Sequence, residues 1–295
     1  MKPIVLYETS IMQQVKTICI CGAGTMGSGI AQVAAMAGYT TILFDLQPAM
    51  LEKSRAAIEK SLQWLLEKEK ISTLEKKECI ERLLFTDQLN DCVADLVIEA
   101  IIEKEAAKVD LFNQLSAINP VTTIFATNTS SIAVSSIATA VPVPKRVVGM
   151  HFFNPAVMMK LVEIISTDFT ADETVATIAT VAGTMRKTAV FCKDSPGFIV
   201  NRVARHYYLE AMKLVAEGYA GIETVDEILQ ATGFKMGPFK LMDLIGMDIN
   251  FDVSKIVWNA LGKPERLTPS PLQERKVLAG ELGRKTGRGF YSYDQ

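Results

Sequence analysis

Short apolar runs alternate with helix-compatible segments over roughly the first two thirds of the chain. The runs cover residues 16–21, 40–44, 96–100, 123–126, 147–152, 161–165 and 189–191. Strands buried on both faces of a parallel sheet show such continuous apolar runs rather than strict alternation. Helical patterns such as residues 28–37 and 105–115 lie between several of them. This order predicts an α/β domain built on a largely parallel sheet.

Residues 49–85 interrupt the alternation with two helical patterns. Apolar residues recur at helical spacing in the first of them, at Leu51, Ile58, Leu62, Leu65 and Leu66. Ser72 is followed three residues later by Glu75, which is the pattern of a capping box that opens a second helix through Leu84. We therefore predict a helical hairpin. Its alternating Glu and Lys residues are typical of a solvated face.

The composition changes after residue 192, where helices and loops replace the strands. Ser195 and Pro196 predict an N-cap and a first helical residue, opening a long helix that reaches about Glu217 and stops at Gly218. We therefore predict two domains, residues 1–192 and a smaller all-α domain over 193–295. The apolar surface of the second domain favours packing against a partner.

Composition and charge narrow the classes of function. The 295 residues are 49% hydrophobic and 22% charged, with a net charge of −2, which disfavours non-specific nucleic-acid binding. No apolar run reaches the roughly 18–20 residues of a membrane span. Residues 1–14 show no leader pattern, although Met12 offers an alternative start. The spacing of the five cysteines matches no zinc site, so we expect core thiols, no metal and a cytoplasmic location.

A glycine-rich turn follows the first predicted strand. Gly22, Gly24 and Gly27 form a GxGxxG pattern between strand and helix, and Asp45 ends the second strand. This context predicts a Rossmann-type dinucleotide site: Gly22 allows the tight turn, Gly24 lets the backbone approach a pyrophosphate, and Gly27 permits close helix packing. Because Asp45 would bind ribose hydroxyls and repel a 2′-phosphate, we expect NAD rather than NADP.

One of the two histidines of the chain lies beside a carboxylate that interrupts an apolar run. His151 follows residues 147–150, and Glu163 lies within residues 161–165. A charge in the middle of a strand pattern usually has a partner. If the two strands are neighbours, Glu163 can orient the imidazole and stabilise its cation. The pair would then act as a general base near neutral pH.

Together these segments resemble the L-3-hydroxyacyl-CoA dehydrogenase family over nearly the whole chain. The resemblance is carried, in order, by GAGTMGSGIAQ (22–32), NTSS (128–131), HFFNP (151–155), KLVEI (160–164), KDSPGFIVNR (193–202), KMGPFKLMDLIGMD (235–248) and KTGRGFY (285–291). RVARHYYLEA and DLIGMDINF are most similar to short-chain bacterial members, which act on 3-hydroxybutyryl-CoA or 3-hydroxyadipyl-CoA. Lys240 departs from the pattern, which more often has an acid there, and we expect this to affect packing or charge.

The resemblance implies roles for individual residues. His151 matches the catalytic base and Glu163 its orienting carboxylate, while Ser130 and Asn201 match the residues that position the substrate. Ser61 and Lys68, on the predicted hairpin, match positions that contact coenzyme A. The predicted cofactor set is Gly22, Gly24, Thr25, Met26, Gly27, Asp45, Glu103, Lys108, Ser130 and Asn154.

The resemblance further implies an NAD-dependent oxidation of a 3-hydroxyacyl-CoA thioester by a homodimer that pairs through the helical domain. A distal carboxylate on an adipyl substrate would need a cation, for which Arg202 and Arg205 are candidates by position. Two other classes stay open on the residues alone: a two-domain NAD dehydrogenase of free hydroxy acids, and a non-catalytic NAD-binding protein.

Overall fold

The computed structural model describes residues 14–293, which divide into two compact units between Asp194 and Ser195. Met12 and the rest of residues 1–13 lie outside the described residues. Each unit has a hydrophobic core of its own. The residues of one core have numbers below 190, and those of the other have numbers above 203. We describe each unit by itself.

The first unit is built on an eight-stranded sheet in the order β3-β2-β1-β4-β5-β6-β7-β8. Strands β1 to β6 are parallel, β7 is antiparallel to β6, and β8 is parallel to β7. The predicted α/β fold class is therefore confirmed. The strands are β1 Thr17–Cys21, β2 Thr40–Phe44, β3 Leu83–Thr86, β4 Leu96–Glu99, β5 Ile124–Thr127, β6 Val147–Phe152, β7 Leu161–Ser166 and β8 Thr188–Lys193.

Six α-helices connect these strands: α1 Thr25–Met36, α2 Pro48–Glu67, α3 Thr73–Glu81, α4 Glu105–Ile118, α5 Val134–Thr139 and α6 Asp172–Thr184. One large cluster of buried side chains joins the sheet to α1, the hairpin and α6. Ile20, Leu43, Leu62 and Ile98 are fully buried in it. Burial of one such side chain contributes about 1.5–3 kcal/mol to the stability of the fold. This core therefore fixes the positions of the strand ends.

The helical hairpin consists of α2 and α3, and its turn carries the predicted capping box. Ser72 Oγ accepts from the Glu75 amide at 3.2 Å, while the Ser72 amide donates to Glu75 Oε2 at 2.7 Å. The prediction that the second helix runs through Leu84 is wrong. The helix ends at Glu81, and residues 83–86 form the edge strand β3, because their backbone pairs with β2 in parallel register.

The second unit contains five α-helices among the residues described: α7 Val200–Ala216, α8 Ile222–Ala231, α9 Pro238–Ile245, α10 Met247–Ala260 and α11 Pro271–Leu278. Its core packs Met212, Phe239, Met242 and Met247, each fully buried. This agrees with the predicted all-α character of the segment.

The first helix of this unit begins five residues later than the predicted N-cap at Ser195. Gly197 and Phe198 have φ values of +75° and +48°, which lie outside the right-handed helical region, so the helix cannot include these two residues. A Cβ on Gly197 would lie 2.9 Å from Val257 Cγ2. The backbone is thus held in a turn that only glycine fits easily, and α7 starts at Val200.

Two buried carboxylates fasten the end of the described chain to the second unit. Asp243 accepts from the amides of Phe290 and Tyr291 at 2.9 Å and from the Tyr293 hydroxyl at 3.0 Å. Asp226 accepts from the Phe239 amide and the Tyr291 hydroxyl, both at 2.9 Å. Burial and the Asp243 carboxylate raise the pKa of Tyr293 to about 12, which keeps its hydroxyl a donor.

Candidate active site

The glycine turn after β1 has the geometry of a nucleotide-binding loop. Gly22 has φ +104°, and a Cβ there would lie 2.6 Å from the Ala100 carbonyl oxygen; a Cβ on Gly27 would collide with the Gly22 carbonyl. A Cβ on Gly24, by contrast, would meet nothing within 4 Å. Packing therefore requires glycine at positions 22 and 27. Gly24 leaves open space beside the first turn of α1, where a pyrophosphate can approach the backbone.

Asp45 lies directly after β2, beside this turn. Its Oδ2 accepts from the Ala23 amide at 2.8 Å, and its Oδ1 accepts from the Gln47 amide at 3.0 Å. A carboxylate held at the rim of the glycine turn suits a ribose diol. The residues present thus fit NAD: Gly24, Thr25 and Met26 lie at the start of α1, where they could hold phosphates, and Asp45 lies where it could bind a ribose diol.

His151 and Glu163 face each other across an antiparallel strand pair. β6 and β7 place them in direct register, and His151 Nδ1 lies 2.7 Å from Glu163 Oε2. Glu163 is fully buried and His151 is 6% exposed. Because a carboxylate only accepts, Nδ1–H is the donor and Nε2 carries the lone pair of the neutral ring. Such an arrangement can act as a general base with an orienting carboxylate.

The loop after β5 carries Ser130, and the Glu103 carboxylate holds this loop. Glu103 Oε1 accepts from Thr129 Oγ1 at 2.5 Å, from the Ser130 amide at 3.1 Å and from Ser131 Oγ at 2.8 Å. Burial raises the pKa of Glu103, but the Lys108 charge and these donors outweigh it, so its pKa is lowered. Glu103 is therefore an ionised acceptor that fixes the backbone at Ser130.

Lys108 lies beneath this loop and is 1% exposed. Its Nζ donates to Glu99 Oε1 at 2.6 Å and lies 3.1 Å from Glu103 Oε2. Glu99 is fully buried and also accepts from Thr127 Oγ1 and the Ile101 amide, each at 2.7 Å. Burial outweighs these partners and raises the pKa of Glu99. Lys108 thus supports the loop from below.

Glu99 was not among the predicted site residues. Its signal was available, since Glu99 ends the apolar run of β4 just as Glu163 interrupts that of β7. An acid in such a run needs a partner, and Lys108 lies nine residues later on α4.

The remaining predicted residues lie on three other elements. Asn154 is exposed in the loop after β6, Ser61 lies on α2, and Lys68 is the C-cap residue of that helix. Asn201 is in the first turn of α7, in the second unit, where its carbonyl accepts from Arg205 Nε at 3.1 Å. The structure therefore brings together His151 with Glu163, and Ser130 with the pair Glu103 and Lys108.

Arg205 is not available for a substrate carboxylate. It is 3% exposed, and its Nη1 donates to the Asn250 carbonyl at 2.8 Å and to Ser254 Oγ at 2.9 Å. The prediction that it could bind a distal carboxylate is wrong, because the guanidinium is used inside the helical core. Arg202 is half-buried.

Within residues 14–293 no group of three or more His, Cys, Asp or Glu side chains is arranged to hold a metal ion. No helix in this range is long and apolar enough to cross a membrane.

Comparison with known proteins decides the family. Residues 17–195 match the model of the 3-hydroxyacyl-CoA dehydrogenase NAD binding domain, and residues 197–293 match that of the C-terminal domain of the same family. The chain belongs to the 3-hydroxyacyl-CoA dehydrogenase family. The predicted family and its NAD cofactor are thereby confirmed.

Relatives within this family are close in sequence and structure. The chain is 42% identical to the 3-hydroxyadipyl-CoA dehydrogenase of Escherichia coli over 96% of its length, and spans 60% of that protein. It is 42% identical to a probable 3-hydroxybutyryl-CoA dehydrogenase of Bacillus subtilis, covering 96% of this chain and 99% of the relative. A crystal structure of 3-hydroxybutyryl-CoA dehydrogenase from E. coli has a TM-score of 0.93 at 41% identity, covering 95% of this chain and 60% of that chain.

Proposed function

We propose that the protein oxidises the hydroxyl of (S)-3-hydroxyacyl-CoA thioesters to a ketone with NAD, and catalyses the reverse reduction. The observation that carries this proposal is the buried pair of His151 and Glu163 at 2.7 Å. It lies on the same sheet as the glycine turn that fits NAD. A positioned base and a hydride acceptor are the two parts that such a reaction needs.

In the forward direction, His151 Nε2 removes the proton of the substrate hydroxyl. Bound NAD supplies the acceptor for the hydride that leaves C3. Glu163 stabilises the imidazolium that forms, an interaction that is stronger in the transition state than in the ground state. In the reverse direction the same imidazolium returns the proton to the oxygen of the ketone.

Other side chains orient the reactants in this scheme. Ser130 and Asn201 position the oxygen and the thioester of the substrate. Asn154 and Glu103 line the nicotinamide side, and the buried Lys108 acts there through Glu103, whose carboxylate it holds. Ser61 on α2 and Lys68 at the C-cap of that helix contact coenzyme A.

We propose 3-hydroxybutyryl-CoA as the preferred substrate. The relatives named above include proteins called 3-hydroxybutyryl-CoA and 3-hydroxyadipyl-CoA dehydrogenases. An adipyl chain ends in a carboxylate, and the burial of Arg205 removes one of the two cations predicted to meet it.

Comparison of kcat/KM for short, long and dicarboxylic 3-hydroxyacyl-CoA substrates, each with NAD and NADP, tests the proposal. We expect the four-carbon substrate with NAD to be fastest. A preference for the dicarboxylic substrate would contradict the choice of substrate. Activity on free 3-hydroxybutyrate equal to that on its thioester would favour a dehydrogenase of free hydroxy acids. Absence of turnover with every thioester would favour the non-catalytic NAD-binding protein.

We also propose that the protein is a cytoplasmic homodimer that pairs through the helical unit. In support, large apolar side chains are exposed on several helices of that unit, among them Val203 at 65%, Ile228 at 61% and Leu278 at 81%. Where such exposed side chains form a contiguous patch, the patch is typical of an interface. Sedimentation velocity should give the mass of a dimer, and a monomer across micromolar concentrations would contradict the proposal.

A further inference from the structure

Arg205 is a buried cation without an acid beside it. Its side chain lies inside the helical core of the second unit, and within residues 14–293 no carboxylate is within ion-pair distance of the guanidinium. Burial lowers the pKa of Arg205 to about 10, so the group is still charged at neutral pH. Because a buried charge without a counter-charge costs stability, an apolar residue is often at least as stable in such a place.

Neutral groups hold the guanidinium instead. Its Nη1 donates to the Asn250 carbonyl at 2.8 Å and to Ser254 Oγ at 2.9 Å, both on α10, and the centre of the Tyr208 ring lies 4.9 Å from it. Gln273 of α11 extends this set, since its Nε2 donates to Asn250 Oδ1 at 2.7 Å. Arg205, Asn250, Ser254 and Gln273, called here the arginine network, are all buried.

The arginine network is not arranged for stability alone. Asn250 Nδ2 is buried and has no hydrogen-bond partner among the residues that the structure describes. A buried polar network with one unsatisfied member is less stable than a fully satisfied one. A cation without an acid and an amide group without an acceptor, both in one core, therefore indicate a second role for the network.

The guanidinium also reaches the first turn of α7. Side chains of an α-helix tilt toward its N-terminus, so Arg205 points back over the residue one turn earlier, which is Asn201. Arg205 Nε donates to the Asn201 carbonyl at 3.1 Å. One planar group thus joins the start of α7 to α10, because its nitrogens donate in different directions.

Asn201 lies at a place where the backbone has to be held. It is the second residue of α7, and the positive φ values of Gly197 and Phe198 lie just before this helix. Terminal turns open more readily than the middle of a helix. A side chain in the first turn therefore keeps a fixed position only where its backbone is fastened to the rest of the unit.

We infer that Arg205 is a positioning residue that acts on the reaction through Asn201: it fastens the Asn201 backbone to α10 and so keeps the Asn201 side-chain amide in place for the substrate. This rests on the proposed function, in which Asn201 helps to position the substrate. Arg205 is itself buried and takes no part in the chemistry.

Loss of this support should lower kcat. Arg205→Met removes both donors and keeps an unbranched side chain in the core. Because a displacement of about 1 Å can cost about hundredfold in rate, we expect kcat with acetoacetyl-CoA to fall roughly ten- to hundredfold. KM and the Kd for NADH should stay within about twofold. Arg205→Lys keeps the charge on a single nitrogen, which cannot reach both Asn201 and α10, so its kcat should be low as well.

A double-mutant cycle tests whether Arg205 acts through Asn201. Asn201→Ala removes the positioned group, so the further substitution Arg205→Met should lower kcat by no more than about twofold. The loss of folding stability caused by Arg205→Met should be the same in both backgrounds. If the two substitutions lowered kcat independently, so that their effects multiplied, Arg205 would act by another route and the inference would be overturned.

A control separates this effect from a general loss of stability. The chain has two tryptophans, Trp64 and Trp258, so in the Trp64→Phe background Trp258 fluorescence reports unfolding of the second unit. Rates are measured at a temperature where every variant is folded by this criterion. Met212→Ala is the matched control, since Met212 is fully buried on α7 and lies farther from Asn201. It should lower the urea midpoint and leave kcat unchanged.

A milder variant covers the case in which Arg205→Met does not fold. Ser254→Ala removes one acceptor of the guanidinium and leaves the cation in place. It should lower kcat in the same direction by a smaller factor. Wild-type kcat in Ser254→Ala and in every folded variant of Arg205, with normal turnover by the parent protein, would overturn the inference and leave the proposed function intact.

Hydrogen–deuterium exchange detects the same contact without turnover. Peptides that cover residues 200–206 should exchange roughly tenfold faster in Arg205→Met than in wild type, because the first turn of α7 loses a hydrogen bond to a charged group. Met212→Ala should not produce this local change. Faster exchange in Arg205→Met, together with no turnover of any thioester by wild type, would refute the proposed function and keep the support of Asn201 by Arg205.

Discussion

Replacement of Lys108 by methionine should destabilise the first unit strongly and disorder the loop of Ser130. The ammonium group bridges Glu99, which is fully buried, and Glu103, whose side chain is 38% exposed. Methionine is close in length and apolar, so the substitution removes the charge with little change in volume. The buried Glu99 carboxylate then lacks its cation.

The two partners contribute unequally to the expected cost. Breaking a buried ion pair by removing one member costs about 3–5 kcal/mol, because the other charge stays buried. A half-exposed pair such as that with Glu103 is worth about 0–1 kcal/mol. We therefore expect Lys108→Met to lower the free energy of unfolding by about 3–5 kcal/mol, and Glu103→Gln by about 1–3 kcal/mol through its lost hydrogen bonds.

The dependence on pH has a defined sign. Burial raises the pKa of Glu99 in the folded protein above its unfolded value, and removal of Lys108 raises it further. A raised pKa means that the folded state binds more protons, so the deficit of Lys108→Met should shrink as the pH falls from 8 to 5. Glu103 has a lowered pKa, and its stabilising effect is lost as the pH falls through its folded pKa.

Urea unfolding measures the free energy of unfolding of each variant and its dependence on pH. Trp64 fluorescence in the Trp258→Phe background follows the transition, since Trp64 reports the first unit alone. The control is Glu99→Gln/Lys108→Met, which removes both charges and should recover most of the lost stability. If Lys108→Met were as stable as its parent, or if the double variant were no more stable than Lys108→Met, the reasoning about this buried pair would be refuted.

Three further predictions concern other parts of the molecule. Glu163→Gln should lower kcat roughly 10–150-fold, since a hydrogen bond to a charged group is worth about 1.5–3 kcal/mol, while the Kd for NADH stays unchanged; an unchanged kcat would contradict this. Asp45→Ala should raise the ratio of kcat/KM with NADP to that with NAD at least about tenfold, because it removes the repulsion of a 2′-phosphate; a constant ratio would show that Asp45 does not select the cofactor. The second unit should lose stability as the pH rises from about 10 to about 12, because Tyr293 has a raised pKa and donates to Asp243 only when protonated. In alkaline unfolding, Asp243→Asn should lose less stability over this pH range than wild type. An equally steep loss in both proteins would contradict this role of Tyr293.

Local patterns predicted the first unit well. Parallel strands leave apolar runs because both of their faces are covered, and the glycine turn is dictated by backbone contacts of Gly22 and Gly27 that no larger residue could make. His151 and Glu163 could be paired in advance, since an acid within a buried strand needs a partner and the two runs were adjacent in the sequence.

What local patterns missed depended on tertiary contacts. The edge strand β3 continues a helical pattern, and only its pairing with β2 makes it a strand. Positive φ values at Gly197 and Phe198 precede α7, and Val257, far away in the sequence, leaves little room for a Cβ on Gly197. Arg205 was a candidate by position for a distal substrate carboxylate, yet its Nη1 lies 2.8 Å from the Asn250 carbonyl oxygen in the core. In each case the deciding contact came from a distant segment.

We propose above that His151 is the general base in the NAD-dependent oxidation of a 3-hydroxyacyl-CoA. The most direct test is the initial rate of NADH consumption with acetoacetyl-CoA for wild type and His151→Ala, with the Kd for NADH measured on both proteins. Loss of a general acid–base group should lower kcat by about 10²–10⁴ while the Kd for NADH stays within about twofold. Near-normal turnover by His151→Ala would contradict the account.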